Sequence, residues 1–396
     1  MPTHQLLTYD FESRHPRTEF ASTKWLEMGE NFGSNELIPL WVADMDFKVA
    51  PPIQQAIHQM ADHSIYGYMY RSPEYFNAIV KWYEKRHQWH IEPDWLQFSP
   101  GVLCTMSFLI QALTNPSDHI LIQEPVYPPF KQKIMENQRI ALSSPLQIDE
   151  RGYYHIDFKD FEQQLYMQRP KLFILCNPHN PVGRVWTKEE LTTLGELCLK
   201  YHVKVISDEI HSDLVFWPHK HVPFASISES FSQNSITLSA PSKTFNLAGL
   251  QTSFSICPNL EIRKQLRKSL DLFELSRNNS FNLVATQAAY EHGQAWLDEL
   301  LIYLKANADY VSNFFNEHLM DIRVSPLEGT YLVWLDMRGL GLTEVELETR
   351  LIKTAKVALL KGSLFGQNGT GFFRMNIACP RSLLEEALNR MLKALR

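Results

Sequence analysis

Apolar positions recur along this chain with two periods, and the order in which the periods alternate changes near residue 290. After Ser72-Pro73, an N-cap and first-turn pair, Phe76, Ile79, Val80 and Tyr83 fall at helical spacing. Ser99-Pro100-Gly101 repeats the punctuation, and Val102, Met106, Leu109, Ile110 and Leu113 then form one apolar stripe. HILIQ (119–123) reads as a strand, and Thr187 with Glu190 forms a capping box for a helix carrying Leu191, Leu194 and Cys198. Strand and helix patterns alternate in this way from Pro51 to Tyr290, which predicts a mostly parallel sheet between helices.

The remainder reads differently. A long helix is predicted over 294–319, strands over 331–335, 357–360 and 372–377, and a last helix over 381–395. Mixed order without strict alternation predicts an α+β unit, with the polar N-terminal stretch, ending in the strand-like 38–42, packed against it. The fold class expected is α/β, with a large domain over 47–290 and a smaller one formed by 1–46 with 291–396.

Composition narrows the possibilities. A chain of 396 residues suits two domains, and 44% hydrophobic with 21% charged residues is globular rather than disordered. A net charge of −6 argues against a polyanion binder, so no nucleic acid is expected; the basic pairs Arg263-Lys264 and Arg267-Lys268 read as a solvated helix face. Five scattered cysteines without a CxxC pair suit a reducing compartment, and no run is long enough to span a bilayer. The N-terminus shows no apolar core of a signal peptide, and the expectation is a cytoplasmic protein without membrane contact.

Candidate chemistry gathers at the ends of three apolar runs. KLFILC leads into Asn177-Pro178-His179-Asn180-Pro181, VKVIS into Asp208-Glu209-Ile210-His211, and SITLSA through Pro241-Ser242 to Lys243. In an open α/β sheet the crevice outside the carboxyl ends of the strands is the ligand site. An amide, a carboxylate and a lysine meeting there are the parts needed to hold pyridoxal phosphate and stabilise a carbanion. A lone lysine in a loop is more often exposed, so Lys243 gains its meaning from its neighbours. Asp208 at the end of a buried strand needs a cationic partner, for which a pyridinium nitrogen would serve; capping the next helix is its structural alternative. Asn180 in a rigid turn suits a fixed hydrogen bond to the cofactor, though turn formation alone would also place it there. Gly101, Val102 and Leu103 open a helix that can meet a phosphate, Tyr127 can stack on a flat ring, and Arg374 can clamp a carboxylate or pair with a structural acid. A rival set of Asp208, His211 and Asp213 reads as metal ligands of a hydrolase.

The segments CNPHNPVGRVWTKEEL, VISDEIHSDL, APSKTFNLAGLQ and FFRMNIACPR resemble the signatures of fold-type I pyridoxal phosphate enzymes, within the class I/II aminotransferase superfamily. They are similar to the MalY/PatB-type cystathionine β-lyases, or C–S lyases, and the resemblance runs from PLWVADMDF to the final helix. It implies an aminotransferase-like homodimer in which Lys243 carries the cofactor and Asp208 meets its ring nitrogen. Asn180 and His211 would lie near the phenolic oxygen, Tyr127 on the ring, and Gly101, Val102 and Leu103 at the phosphate with Ser242 and Asn246. Arg374 would hold the substrate carboxylate, with Asn180 beside it, and Tyr68 would reach the neighbouring subunit's phosphate, Tyr66 being the other candidate. The implied reaction is α,β-elimination from L-cystathionine and related cysteine S-conjugates, giving a thiol, pyruvate and ammonia; transamination is the alternative within the same fold. Ala240 and Gln251 depart from the broader aminotransferase pattern, which shifts the expected phosphate grip toward backbone, Ser239 and Ser242. A cofactor-sensing regulator would need a DNA-binding extension, and the N-terminal fifty residues show no helix-turn-helix pattern.

Overall fold

The computed structural model of the protein describes residues 7–396; the first six, which belong to the stretch read above for a signal peptide and to the N-terminal arm, lie outside the described residues. Seven strands form the main sheet: β1 (Leu96–Ser99), β2 (His119–Ile122), β3 (Ile140–Ser143), β4 (Leu172–Cys176), β5 (Lys204–Asp208), β6 (Ser235–Ser239) and β7 (Ser253–Ile256). Their spatial order is β1-β7-β6-β5-β4-β2-β3. Pairing is parallel from β6 through β5, β4 and β2 to β3, and β7 alone runs against its neighbours. β4 and β6 are buried along their whole length, so they read as unbroken apolar or small-residue runs rather than as alternations. Each large side chain there, such as Ile174, contributes about 1.5–3 kcal/mol by burial.

Helices form where the sequence punctuates them. The helix after Ser72 spans Pro73–His87, with Ser72 as N-cap residue although its side chain makes no capping bond. The Thr187–Glu190 capping box is complete and opens Lys188–Lys200. Arg263, Lys264, Arg267 and Lys268 lie on the helix Leu260–Leu272, where Lys264 pairs with Glu261 and Arg267 with Asp271 on the surface, as the solvated-face reading expects.

A second sheet of four short strands follows: β8 (Arg323–Val324), β9 (Leu332–Asp336), β10 (Leu360–Lys361) and β11 (Phe372–Asn376), ordered β8-β9-β11-β10 and antiparallel throughout. It packs with the helices Gln294–His318 and Arg381–Leu395. The N-terminal arm joins this region, with Phe11 and Phe47 against Tyr303 and Ile38–Pro39 paired in parallel with Val357–Ala358. Two predicted strands are shorter than their apolar runs. The 38–42 run leaves the ladder after Pro39 as β11 takes its next carbonyls, Leu40 through the Asn376 N–H and Trp41 and Val42 through the Arg374 and Asn376 side chains, and the 357–360 run is divided between two sheets. Among the described residues no helix is long and apolar enough to cross a membrane.

Candidate active site

A cavity of about 310 Å³ lies at the carboxyl ends of the main-sheet strands, five of which contribute through the loop that follows them. The loop after β1 brings Gly101, Val102 and Leu103, that after β2 Tyr127, that after β4 Asn180, that after β5 Asp208 and His211, and that after β6 Ser242 and Lys243. Ten of the twelve residues singled out from sequence therefore converge: nine line this cavity, and Arg374 reaches it through Asn180.

The helix Val102–Leu113 starts at Gly101, and no side chain caps it. The Cys104 N–H bonds the Gly101 carbonyl, and no side chain takes the N–H groups before it at the cavity wall, an arrangement that suits a phosphate. Asp208 closes β5, buried, and receives one hydrogen bond, from the Ile210 N–H at 3.1 Å. Burial raises its carboxyl to about 7, with the neighbouring Glu209 charge adding to the rise and the Ile210 bond and Lys243 opposing it. Lys243 lies in the single helical turn Pro241–Thr244 that follows the extended Ala240; its Nζ donates to the Ala43 carbonyl at 2.6 Å. Burial, then the Arg374 charge, brings its amine down to about 8, so a usable fraction is neutral near physiological pH.

Arg374 stands in the middle of β11 at 3% exposure. Its Nη1 donates to Asn180 Oδ1 at 3.1 Å and its Nη2 to the Trp41 carbonyl at 2.9 Å, while its buried Nε has no partner. No carboxylate among the described residues forms an ion pair with it, so the structural-acid alternative does not hold; burial lowers its guanidinium to about 10. A buried guanidinium without a counter-ion is costly unless a ligand supplies one. Because Asn180 Oδ1 is taken by Arg374, the amide's other end is left to donate. His211 is fully buried with an unpartnered Nδ1, its ring edge-on to Tyr331 at 5.9 Å, and burial pushes it well below its ordinary value. Burial also raises the Tyr127 phenol.

Two expected contacts are not where the resemblance puts them. Asn246 does not line the cavity: its Oδ1 accepts from the Met45 N–H and its Nδ2 donates to the Met45 and Phe47 carbonyls, all at 3.0 Å, so it fastens the N-terminal segment instead. Ser239 is buried in β6 against Tyr83. Tyr68 is 93% exposed on a loop with the exposed Ile65, Tyr66 and Tyr70, away from its own chain's cavity. The metal-ligand reading also fails. Asp213 is occupied by Trp82, His87 and Thr244, and no group of three potential ligands is placed to hold a metal among the described residues.

Some wall residues carried no signal in the sequence. The Ala43 carbonyl accepts from both Lys243 and Tyr331, the latter at 2.9 Å, and Asn376 bonds the Val42 and Asp44 carbonyls on either side. A backbone oxygen has no side chain to betray it; Tyr331 opens a predicted strand and was readable only as core. Thr252 and Gln251 also face the cavity.

A half-buried lysine and a buried carboxylate sharing one cavity, beside an uncapped helix start and a counter-ion-less arginine, fit pyridoxal phosphate and an amino-acid substrate. The family model for aminotransferase class I and II matches residues 29–391. Cystathionine beta-lyase PatB of Bacillus subtilis is 42% identical over 98% of this chain and 100% of its own. The chain belongs to this family. Within it, the chain falls in the MalY/PatB-like C–S lyase branch of fold-type I pyridoxal phosphate enzymes. Cystalysin from Treponema denticola, whose structure contains pyridoxal 5'-phosphate, superposes with a TM-score of 0.94 at 36% identity, covering 98% of this chain and 99% of that one. The PLP-bound C–S lyase from Staphylococcus hominis gives 0.92 at 34% identity, with the same coverage. The family's aminotransferase-like architecture, a large mostly parallel sheet between helices, is the one described above.

Proposed function

We propose that this chain is a pyridoxal phosphate-dependent lyase that cleaves L-cystathionine and related cysteine S-conjugates by α,β-elimination, releasing homocysteine or another thiol, pyruvate and ammonia. The observation that carries it is the meeting of Lys243 and Asp208 in one cavity under a carboxylate clamp; the 42% identity to PatB favours elimination over transfer. The cofactor is pyridoxal 5'-phosphate, and when bound it supplies the electron sink for charge developing at Cα.

The chain's own residues do the rest. The Gly101–Leu103 turn and Ser242 would hold the phosphate, Tyr127 would pack against the ring, and Asn180 and His211 would bind its polar edge. Asp208, with no cationic hydrogen-bond partner in the protein, would take the ring nitrogen as one and would favour its protonated form. Arg374 takes the substrate α-carboxylate in its fork, with Asn180 fixing the fork's angle. This orients the Cα–H toward the Lys243 amine, whose lowered affinity for protons lets it act as base and then return a proton. Ala43, tied through its carbonyl to Lys243 and Tyr331, walls the cavity on the Lys243 side.

We further propose a homodimer in which Tyr68, from the exposed aromatic loop, reaches the opposite protomer's phosphate. The domains are proposed as 47–290 and 1–46 with 291–396, and the site as cytoplasmic chemistry on a small amino-acid substrate. The test is to incubate the holoprotein with L-cystathionine alone and assay pyruvate and homocysteine. Steady pyruvate release without added keto acid is expected. Turnover that requires a keto acid and yields no pyruvate makes the protein an aminotransferase instead.

A further inference from the structure

A second cavity, of about 270 Å³, shares Tyr127 with the first. It forms where the 124–131 segment of the large sheet's side meets the 363–370 segment, with the Val126 N–H donating to the Phe365 carbonyl at 3.0 Å. The Phe365 ring also lies 5.1 Å from the Arg374 guanidinium. A substrate whose α-carboxylate rests on Arg374 can therefore run its sulfur substituent past Tyr127 and Phe365 into this space.

The space is not neutral. Glu124 and Lys131 line it, with Lys131 Nζ 3.3 Å from Glu124 Oε1. Glu124 is 12% exposed and packed under Gly366, where a Cβ would come within 2.8–3.0 Å of its side-chain carbons. Gly366 also sits at φ +128°, a conformation open to glycine, so the carboxylate is seated by a backbone that only glycine allows so close. Lys131 is half exposed and can turn on its flexible stem.

We propose that the Glu124–Lys131 pair reads the far end of the substrate, selecting S-conjugates that end in a zwitterionic α-amino-acid group. This rests on the lyase reading above and specifies its substrate class. An ammonium set against Glu124 and a carboxylate set against Lys131 complete a ring of alternating charges, so each protein charge exchanges one partner for another. An uncharged alkyl end gains nothing from the pair, and a purely anionic end meets Glu124. L-Cystathionine carries the matching end; S-ethyl-L-cysteine lacks it.

The experiment is a rapid-mixing spectral titration of the holoprotein with each of these two ligands, reading Kd from the change in cofactor absorbance before pyruvate accumulates, for wild type, K131M and E124Q. The wild type is expected to bind L-cystathionine more tightly than S-ethyl-L-cysteine. Each variant is expected to shrink that ratio by about tenfold, the scale of one charge-assisted hydrogen bond. A ratio that shrinks by less than about threefold overturns the proposal. K131M, at a half-exposed position, carries the test if E124Q folds poorly. Pyruvate assayed in the same samples judges the lyase reading separately: its absence with both ligands defeats that reading, while the two Kd values still decide this one.

Discussion

Asp208 and Asp213 stand five residues apart on one segment, each 5% exposed, and the protein treats them oppositely. Burial pushes both carboxyls up. At Asp213 hydrogen bonds from His87 at 3.0 Å, Thr244 at 2.8 Å and Trp82 at 3.0 Å, with Arg86 beside them, more than offset it and bring the carboxyl down to about 2. At Asp208 only the Ile210 N–H and the Lys243 charge oppose burial, and the carboxyl rises to about 7. The same contrast separates Arg374, without a counter-ion, from the equally buried Arg184, which pairs with Glu190 and Glu328 at 2.9 Å each. Where the fold needs a buried charge for itself, it supplies the partner; where a partner is absent, the ligand is meant to bring it.

Breaking the contrast at Asp208 gives the largest effect. D208N is expected to weaken cofactor binding about 100-fold and to cut kcat/KM at least as much, because the ring nitrogen loses its acid. The cofactor-free protein should respond the other way. A folded-state value near 7 against an ordinary 3.8 means the folded chain holds a proton that the unfolded chain has released between those limits. Stability from this group therefore falls as pH rises from about 4 to about 7 and stays low above it, and D208N should lack that fall in denaturant melts. A cofactor-free wild type and D208N with parallel pH profiles would remove the claim that Asp208 is unpaired.

R374M should raise KM for the amino-acid substrate about 30-fold while cofactor absorbance stays that of the wild type, as expected for a clamp on substrate alone. Loss of cofactor binding in R374M would make the arginine structural after all. D213A sharpens the other arm: it strands the donors of His87, Trp82 and Thr244, and should lower folding free energy by about 3 kcal/mol in urea melts. Its cofactor affinity should fall by less than about tenfold; a fall as deep as that of D208N would erase the distinction between the two carboxylates. The smallest effect is a titration. In the cofactor-free protein Lys243 should react with an amine-directed reagent with a midpoint near pH 8, and a midpoint near its ordinary 10.5 would show an exposed, unperturbed amine.

How much of this was legible in the chain follows from where the information lies. The central strands β4, β5 and β6 are buried almost throughout, so KLFILC, VKVIS and SITLSA announced themselves, and the residues just past their ends were bound to meet at one edge of the sheet. Asp208, Asn180 and Lys243 could be found for that reason. Arg374 could be named as a charge in a strand, but its lack of an acidic partner needed the fold. Asn246 misled because its motif position says nothing about which backbone its amide will bind, and only the folded arm shows Met45 and Phe47 there. The Ala43 carbonyl and the Glu124–Gly366 approach join residues two hundred or more positions apart, a separation across which a periodic pattern carries no information.

The most direct measurement is to reduce the yellow holoprotein with borohydride and locate the modified peptide by mass spectrometry. The modification is expected on Lys243 alone, within the stretch that follows β6, and absent from K243A. A cofactor adduct on any other lysine, or a colourless protein that takes up no pyridoxal phosphate, would contradict the assignment of this cavity.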